Sequence, residues 1–78
     1  MSSMLETIQA NLARNIIARR KALNTSQEKL ALLAGVDRTY VSQLERGIAN
    51  PSVSILCRIA EVLQCELHDL LSDKPSFA

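Results

Sequence analysis

The sequence has few of the residues that build sheets and turns. Its 78 residues include one tyrosine, one phenylalanine, no tryptophan, two glycines and two prolines. Strands favour aromatic and β-branched residues, and a sheet needs frequent turn residues, so this composition argues against a sheet. Hydrophobic residues nevertheless make up 47% of the chain, which is enough for a folded core. The composition predicts one small, all-helical domain.

Cysteine and histidine are also scarce. Cys57, Cys65 and His68 are too few for a disulfide scaffold, and their spacing is not one that zinc sites commonly use. Two unpaired thiols fit a reducing cytoplasm, and we expect both cysteines to be small core residues. These observations predict a protein with no metal and no cofactor.

Other absences exclude further classes of protein. No apolar run approaches the roughly 20 residues that cross a bilayer, and the first residues do not resemble a signal peptide. No Ser/His/Asp set, paired-carboxylate cleft or glycine-rich phosphate loop is recognisable. The sequence therefore predicts a cytoplasmic protein that is not an enzyme, has no membrane partner and binds no small-molecule ligand.

Charge is balanced overall but unevenly distributed. The net charge is +1. Residues 1–50 carry seven cationic and four anionic side chains, whereas residues 51–78 carry two and four. The N-terminal part is thus basic and the C-terminal part acidic, which fits either a nucleic-acid partner or an ordinary uneven surface.

Apolar residues recur at helical spacing in five segments. The pattern predicts a first helix at about residues 4–23, helices that begin after Ser26, Asp37 and Ser52, a short fifth helix, and a tail of residues 72–78. Five helices with such short connections make a compact bundle. We expect its core to contain Leu5, Ile8, Leu12, Ile16, Leu23, Leu30, Ala31, Leu33, Val41, Leu44, Leu56, Ile59, Ala60 and Leu63.

Residues 26–47 have the plan of a helix-turn-helix, in which two helices flank a tight turn with glycine. Ala31 must be small because the second helix crosses closely over the first, and Gly35 gives the turn its backbone freedom. Val41 and Leu44 are expected to be buried and to hold the angle between the helices. The side chains left outward are of the types that read base edges and phosphates, namely Arg38, Thr39, Ser42, Gln43 and Arg46.

In this order, the motifs resemble the Cro/phage-repressor family of helix-turn-helix regulators, also called the XRE family. The resemblance covers about Ile16 to Leu71 and implies the lambda-repressor-like fold. Within the family, residues 37–42 are similar to the recognition helix of controller proteins of restriction–modification systems. Gln64 departs from the pattern, because the family commonly has glycine there. The matching pieces are Arg20, Ser26-Gln27-Glu28-x-Leu30-Ala31, Gly35, residues 41–47, Asn50-Pro51-Ser52 and Ile59-Ala60-x-x-Leu63.

The resemblance implies a role for each residue that matches the family's DNA-binding surface. A recognition helix at about residues 37–46 would enter the major groove. Base-edge contacts are implied for Arg38, Thr39, Ser42 and Gln43. Phosphate contacts are implied for Ser26, Gln27, Tyr40, Arg46 and Asn50. The remaining pair resembles a family ion pair that ties the first helix to the third, and consists of Arg20 and Glu45.

Each implied contact has a simpler alternative. Arg38 and Gln43 could be ordinary surface side chains, Gln27 a capping residue, and Tyr40 a cover for the edge of the core. Two other functional classes are also open. An antitoxin would bind mainly a toxin protein, although only residues 72–78 follow the predicted bundle. A protein-interaction module that has lost DNA binding would have no reason to hold these polar side chains outward together.

The predicted fourth and fifth helices have more apolar residues than one small core requires. Leftover apolar surface is a liability on a monomer but becomes an interface when two subunits pair about a two-fold axis. We therefore expect homodimerisation through about residues 53–71, with contacts at Val62, Cys65, Leu67, Leu70 and Leu71. The sequence thus predicts a transcriptional regulator that binds double-stranded DNA at a pseudo-palindromic operator, with recognition helices about 34–36 Å apart.

Overall fold

A computed structural model of the chain describes residues 3–77, and within them it contains five α-helices and no strand. The predicted all-α bundle is confirmed, with helix bounds close to those expected. The helices are α1 (Met4–Ala22), α2 (Gln27–Ala34), α3 (Arg38–Glu45), α4 (Val53–Val62) and α5 (Leu67–Leu71). No helix in the described range is long and apolar enough to cross a membrane.

Serine side chains begin three of the helices. The hydroxyls of Ser3, Ser26 and Ser52 each accept a hydrogen bond from the backbone N–H three residues further on. These bonds satisfy donors that have no partner inside the helix, and each such cap is worth about 1 kcal/mol. The predicted caps at Ser26 and Ser52 are confirmed. At the N-terminus of α1, Glu6 completes a reciprocal capping box by accepting from the Ser3 N–H at 2.9 Å.

The core is built from all five helices. Its fully buried side chains are Ile16, Leu30, Val41, Leu44, Ile59, Leu63 and Leu70. Three residues expected in the core are not there: Leu5, Leu33 and Cys57 are exposed. The prediction that Leu33 is buried was wrong because the buried side of α2 is formed by Leu30, Ala31 and Ala34.

A buried asparagine joins α1 to the end of α5. The amide nitrogen of Asn15 donates to the carbonyl oxygens of Asp69 and Leu70 at 3.0 Å and of Ser72 at 2.7 Å. These carbonyls lie where a helix ends and lacks internal donors. Asn15 therefore anchors the short α5, which would be marginal by itself.

The corner between α4 and α5 accommodates the residue that departs from the family pattern. Gln64 adopts a left-handed backbone conformation with φ of 57°, which glycine adopts at less cost than any other residue. The Arg19 side chain crosses from α1 and donates to the carbonyl oxygens of Leu63 at 2.8 Å and Gln64 at 3.2 Å. Arg19 thus supports the strained corner from outside.

The segment after α5 folds back onto the bundle. Asp69 accepts hydrogen bonds from both the backbone N–H and the hydroxyl of Ser76, at 3.0 and 2.9 Å. These hydrogen bonds, the backbone one foremost, hold the pKa of Asp69 below its usual value. The Phe77 ring lies under the Arg19 guanidinium at 5.4 Å. The part of the predicted tail that the structure describes is therefore packed, and Ala78 lies outside the described residues.

Candidate nucleic-acid interface

The helix-turn-helix is formed by α2, a turn at Gly35 and α3. Gly35 has a left-handed backbone with φ of 72°, and the N–H of Val36 closes the turn by donating to the Ala31 carbonyl at 3.0 Å. This is the glycine-ended helix terminus that the sequence predicts. Ala31 is buried, as the close approach of two helices requires.

Burial of one side of α3 leaves its other side free. Val41 and Leu44 are 0% and 2% exposed and fix the orientation of the helix. Because residues four apart lie on the same face of a helix, the opposite side presents two neighbouring pairs. These pairs are Arg38 with Ser42, and Thr39 with Gln43. The structure thus brings together the four residues expected to contact bases, with Arg38 and Thr39 exposed and Ser42 and Gln43 half-buried.

The five residues expected to contact phosphates have different environments. Arg46 and Asn50 are exposed at and beyond the end of α3, and half-buried Tyr40 packs against the core. The Ser26 hydroxyl caps α2. Gln27 is committed to a contact that the sequence did not predict: its side-chain nitrogen donates to Glu45 Oε1 at 3.0 Å. A second N–H of that amide remains for another acceptor.

Arg20 and Glu45 form a bidentate ion pair across the bundle. Arg20 Nε lies 2.6 Å from Glu45 Oε2, and the second guanidinium bond reaches Oε1 at 2.9 Å. A third bond runs from Arg20 to the Thr25 carbonyl at 3.0 Å. The two side chains are 13% and 6% exposed. The pair therefore ties α1, the turn before α2 and the end of α3 into one unit.

The carboxyl group of Glu45 is kept ionised by this network. Burial opposes ionisation, but the hydrogen bonds from Arg20 and Gln27 and the charge of Arg20 outweigh it, so the pKa of Glu45 is lower than usual. The hydrogen bond to Glu45 likewise raises the pKa of Arg20. Both charges therefore persist at neutral pH.

A shallow groove separates the first turns of α2 and α3. Among its lining residues are Lys29, Leu32, Asp37 and Arg38. Leu32 is 75% exposed, and neither Lys29 nor Asp37 was predicted to contact DNA. The groove is formed by the packing of α2 against α3, so the spacing of apolar residues within each helix does not predict it.

The residues expected at a dimer interface divide into two groups. Leu70 is 0% exposed within one subunit and cannot contact a partner, so this prediction was wrong. Its side chain fills the core under α1, because Asn15 holds the end of α5 against that helix. The other four are half-buried on the surface of the α4–α5 region, namely Val62, Cys65, Leu67 and Leu71.

Comparison with known protein families matches residues 16–70 to HTH_3, a helix-turn-helix family. The chain belongs to this family. The control protein C.SmaI of Serratia marcescens is 37% identical over 65 residues, which cover 83% of this chain and 77% of C.SmaI. The transcriptional regulator SinR of Bacillus subtilis is 39% identical over 56 residues, 70% of this chain and 50% of SinR. This chain thus spans about half the length of that relative.

Solved structures give the same assignment. The restriction–modification controller protein C.AhdI of Aeromonas hydrophila superimposes with a TM-score of 0.76 at 35% identity, over 80% of this chain and 94% of that one. SinR in complex with DNA gives 0.75 at 35% identity, over 78% and 98%. The resemblance inferred from the motifs is confirmed, and the chain is a DNA-binding regulator of the helix-turn-helix class and not an enzyme.

Proposed function

We propose that this protein is a sequence-specific regulator that binds a pseudo-palindromic operator as a homodimer, with α3 in the major groove. The observation that carries the proposal is the outward face of α3. It presents two forked or amide side chains and two hydroxyls, while its inner face is locked by buried Val41 and Leu44. These are the side chains that hydrogen-bond to base edges.

Within this face, each residue has a role that follows from its chemistry. The fork of Arg38, at the first turn of α3, suits the O6 and N7 acceptors of guanine, and the amide of Gln43 suits the N6 and N7 groups of adenine. The hydroxyl of Thr39 follows Arg38 and that of Ser42 precedes Gln43, and each can hydrogen-bond to either base. The face spans about two helical turns, enough for a few base pairs in each half-site.

The residues around α3 would hold the DNA backbone. Arg46 and Asn50 are exposed at and beyond the end of α3. The first turn of α2 offers its backbone N–H groups, the capping Ser26 and the second side-chain N–H of Gln27. Backbone N–H groups at a helix N-terminus suit a phosphate. The Tyr40 hydroxyl adds a further donor. These contacts would fix the register of α3 in the groove and would carry no sequence information.

Homodimerisation is proposed from the surface of the α4–α5 region. Val62, Cys65, Leu67 and Leu71 remain half-buried in one subunit, so they can lose further apolar area to a partner. A two-fold axis there would place two α3 helices on one side of the dimer. The segment of residues 51–78, whose net charge is negative, would then lie away from the phosphates. The segment of residues 1–50, whose net charge is positive, would face them.

The experiment that tests this proposal combines sedimentation with DNA binding. Sedimentation at micromolar concentration should give a dimer. A full palindrome selected from random DNA should bind far more tightly than its isolated half-site. A monomer that binds the half-site as tightly as the full site would contradict the dimeric mode, and equal binding to all DNA would contradict sequence specificity.

A further inference from the structure

The N-cap residue of α3 differs from the N-cap serines of the other helices, because its side chain makes no capping hydrogen bond. Ser3, Ser26 and Ser52 all accept from a backbone N–H in the first turn of their helices. Asp37 occupies the same position before α3, with an extended backbone at φ −70° and ψ 146°, yet its side chain makes no cap hydrogen bond. An N-cap aspartate ordinarily accepts from the second or third N–H of the helix.

The backbone of the first turn of α3 uses its N–H groups differently from the serine-capped helices. The N–H of Tyr40, which a capping carboxylate would take, donates instead to the backbone carbonyl of Asp37 at 3.0 Å. That carbonyl also accepts from the N–H of Val41 at 3.2 Å. The ion pairs within residues 3–77 join Arg20 to Glu45 and His68 to Asp69, so Asp37 is in neither. Its carboxylate therefore has no hydrogen-bond or ion-pair partner among residues 3–77, and it interacts with its own helix only through the favourable field of the helix N-terminus.

The position of Asp37 places this acceptor beside the proposed base-reading face. Asp37 is exposed, precedes Arg38 directly and lines the same groove between α2 and α3. A carboxylate close to phosphates weakens attraction to every DNA sequence. A serine at this position would cap the helix without that cost. The Asp37 carboxylate makes no cap hydrogen bond and no ion pair. At this surface it would favour DNA binding only by accepting a hydrogen bond from a base.

We propose that Asp37 is a specificity-determining residue that accepts a hydrogen bond from the N4 amino group of a cytosine next to the guanine read by Arg38. In the major groove, cytosine presents an amino donor whereas thymine presents an oxygen acceptor, so a carboxylate favours the first and repels the second. The pair of adjacent charges, Asp37 and Arg38, would then read a donor and two acceptors side by side. This inference rests on the proposed function, because it requires α3 in the major groove.

Selection of bound sequences from a random DNA pool tests the inference with the intact chain and two variants. Asp37→Ser keeps an N-cap residue and removes the charge, and Asp37→Asn keeps the shape and adds donors. The wild type should select a cytosine beside a guanine whose selection Arg38→Ala abolishes. Direct binding to two duplexes that differ only by cytosine or thymine there should show a preference of about 5- to 150-fold.

Asp37→Ser should lose the cytosine preference, retain the guanine and bind random DNA more tightly. Asp37→Asn should move the preference toward adenine, whose N6 and N7 groups match an amide. Two outcomes would show that Asp37 does not read DNA, provided that the wild type selects an Arg38-dependent guanine. In the first, Asp37→Ser leaves the cytosine preference unchanged. In the second, the position next to the guanine shows no cytosine preference. If the wild type selects no sequence at all, the proposed function itself fails.

Discussion

Arg20 and Glu45 lie 25 residues apart in the sequence and meet through two hydrogen bonds of 2.6 and 2.9 Å. Each belongs to a different helix, and the pair is nearly excluded from solvent. Because Glu45 is the last residue of α3, the pair holds that helix against α1 at the end opposite Arg38. The geometry of the proposed DNA-binding face therefore depends on a contact at the other end of α3, where Glu45 also accepts a hydrogen bond from Gln27.

Loss of this pair should unfold the protein. Arg20→Ala would leave the buried Glu45 carboxylate without its cation, and breaking one side of a buried pair costs about 3–5 kcal/mol. That is a large share of the stability of so small a domain. Urea unfolding followed by circular dichroism measures the loss, with Lys29→Ala as a control that removes an exposed cation outside this network. Arg20→Ala unfolding at the wild-type urea concentration would show that the pair contributes no net stability.

The same pair should make stability depend on pH. The pKa of Glu45 is lower in the folded protein than its ordinary value of 4.5, so the folded state favours the ionised form. The stabilisation is then complete above about pH 4.5 and disappears as pH falls through the lower, folded pKa. Asp69, whose pKa is also lowered, contributes in the same direction.

We expect the urea midpoint to fall steadily below that pH and to fall less steeply in Glu45→Gln. Glu61→Gln, which changes an exposed carboxyl group outside the network, serves as the control. Equal pH dependence in the wild type and Glu45→Gln would remove Glu45 as a source of acid sensitivity.

Gln64→Gly should stabilise the corner between α4 and α5. The left-handed backbone of Gln64 costs about 1–3 kcal/mol for a residue other than glycine. Glycine removes that strain, but its greater freedom in the unfolded chain lowers the free energy of unfolding by about 0.5–1 kcal/mol. The difference between these two terms, about 0–2.5 kcal/mol, is the expected gain in the free energy of unfolding. Gln64→Ala, which removes the side chain but keeps the strain, is the control. A Gly variant less stable than the Ala variant would contradict this account of the corner.

Helix positions and the helix-turn-helix could be predicted because their signals are local. Caps, glycines and the spacing of apolar residues lie within one helix and its ends. Local patterns could not predict partners that come from distant parts of the chain; the Arg20–Glu45 pair was expected only because the family resemblance implied it. Asn15 bonds to carbonyls 54 to 57 residues away, and Gln27 finds Glu45 only once α2 and α3 have packed. The burial of Leu70 and the exposure of Cys57 follow from the same tertiary packing, because periodicity does not say which apolar face a neighbour covers.

The division between Leu67 and Leu70 gives a test of the dimer surface. Leu67→Lys changes a half-buried residue of the proposed interface. It should weaken the dimer by about tenfold or more while the protein stays folded, because the interface would bury an unpaired ammonium group. Leu70→Ala empties part of the core and should cost about 2–5 kcal/mol of stability. Sedimentation together with thermal melting separates the two effects. Leu32→Lys, on exposed α2 surface, should leave the dimer intact, and a dimer that survives both Leu67→Lys and Leu71→Lys would place the interface elsewhere.

The central claim, that α3 reads bases through Arg38, is tested most directly by comparing three proteins on two DNAs. The wild type, Arg38→Ala and Arg38→Lys are titrated against the selected operator and against random DNA at one salt concentration. Lysine keeps the charge but lacks the planar fork. We predict that both variants lose about 1–3 kcal/mol of discrimination per half-site, and that Arg38→Lys binds random DNA as tightly as the wild type. Equal weakening on both DNAs by Arg38→Ala, with full discrimination retained by Arg38→Lys, would show that Arg38 contacts only phosphate.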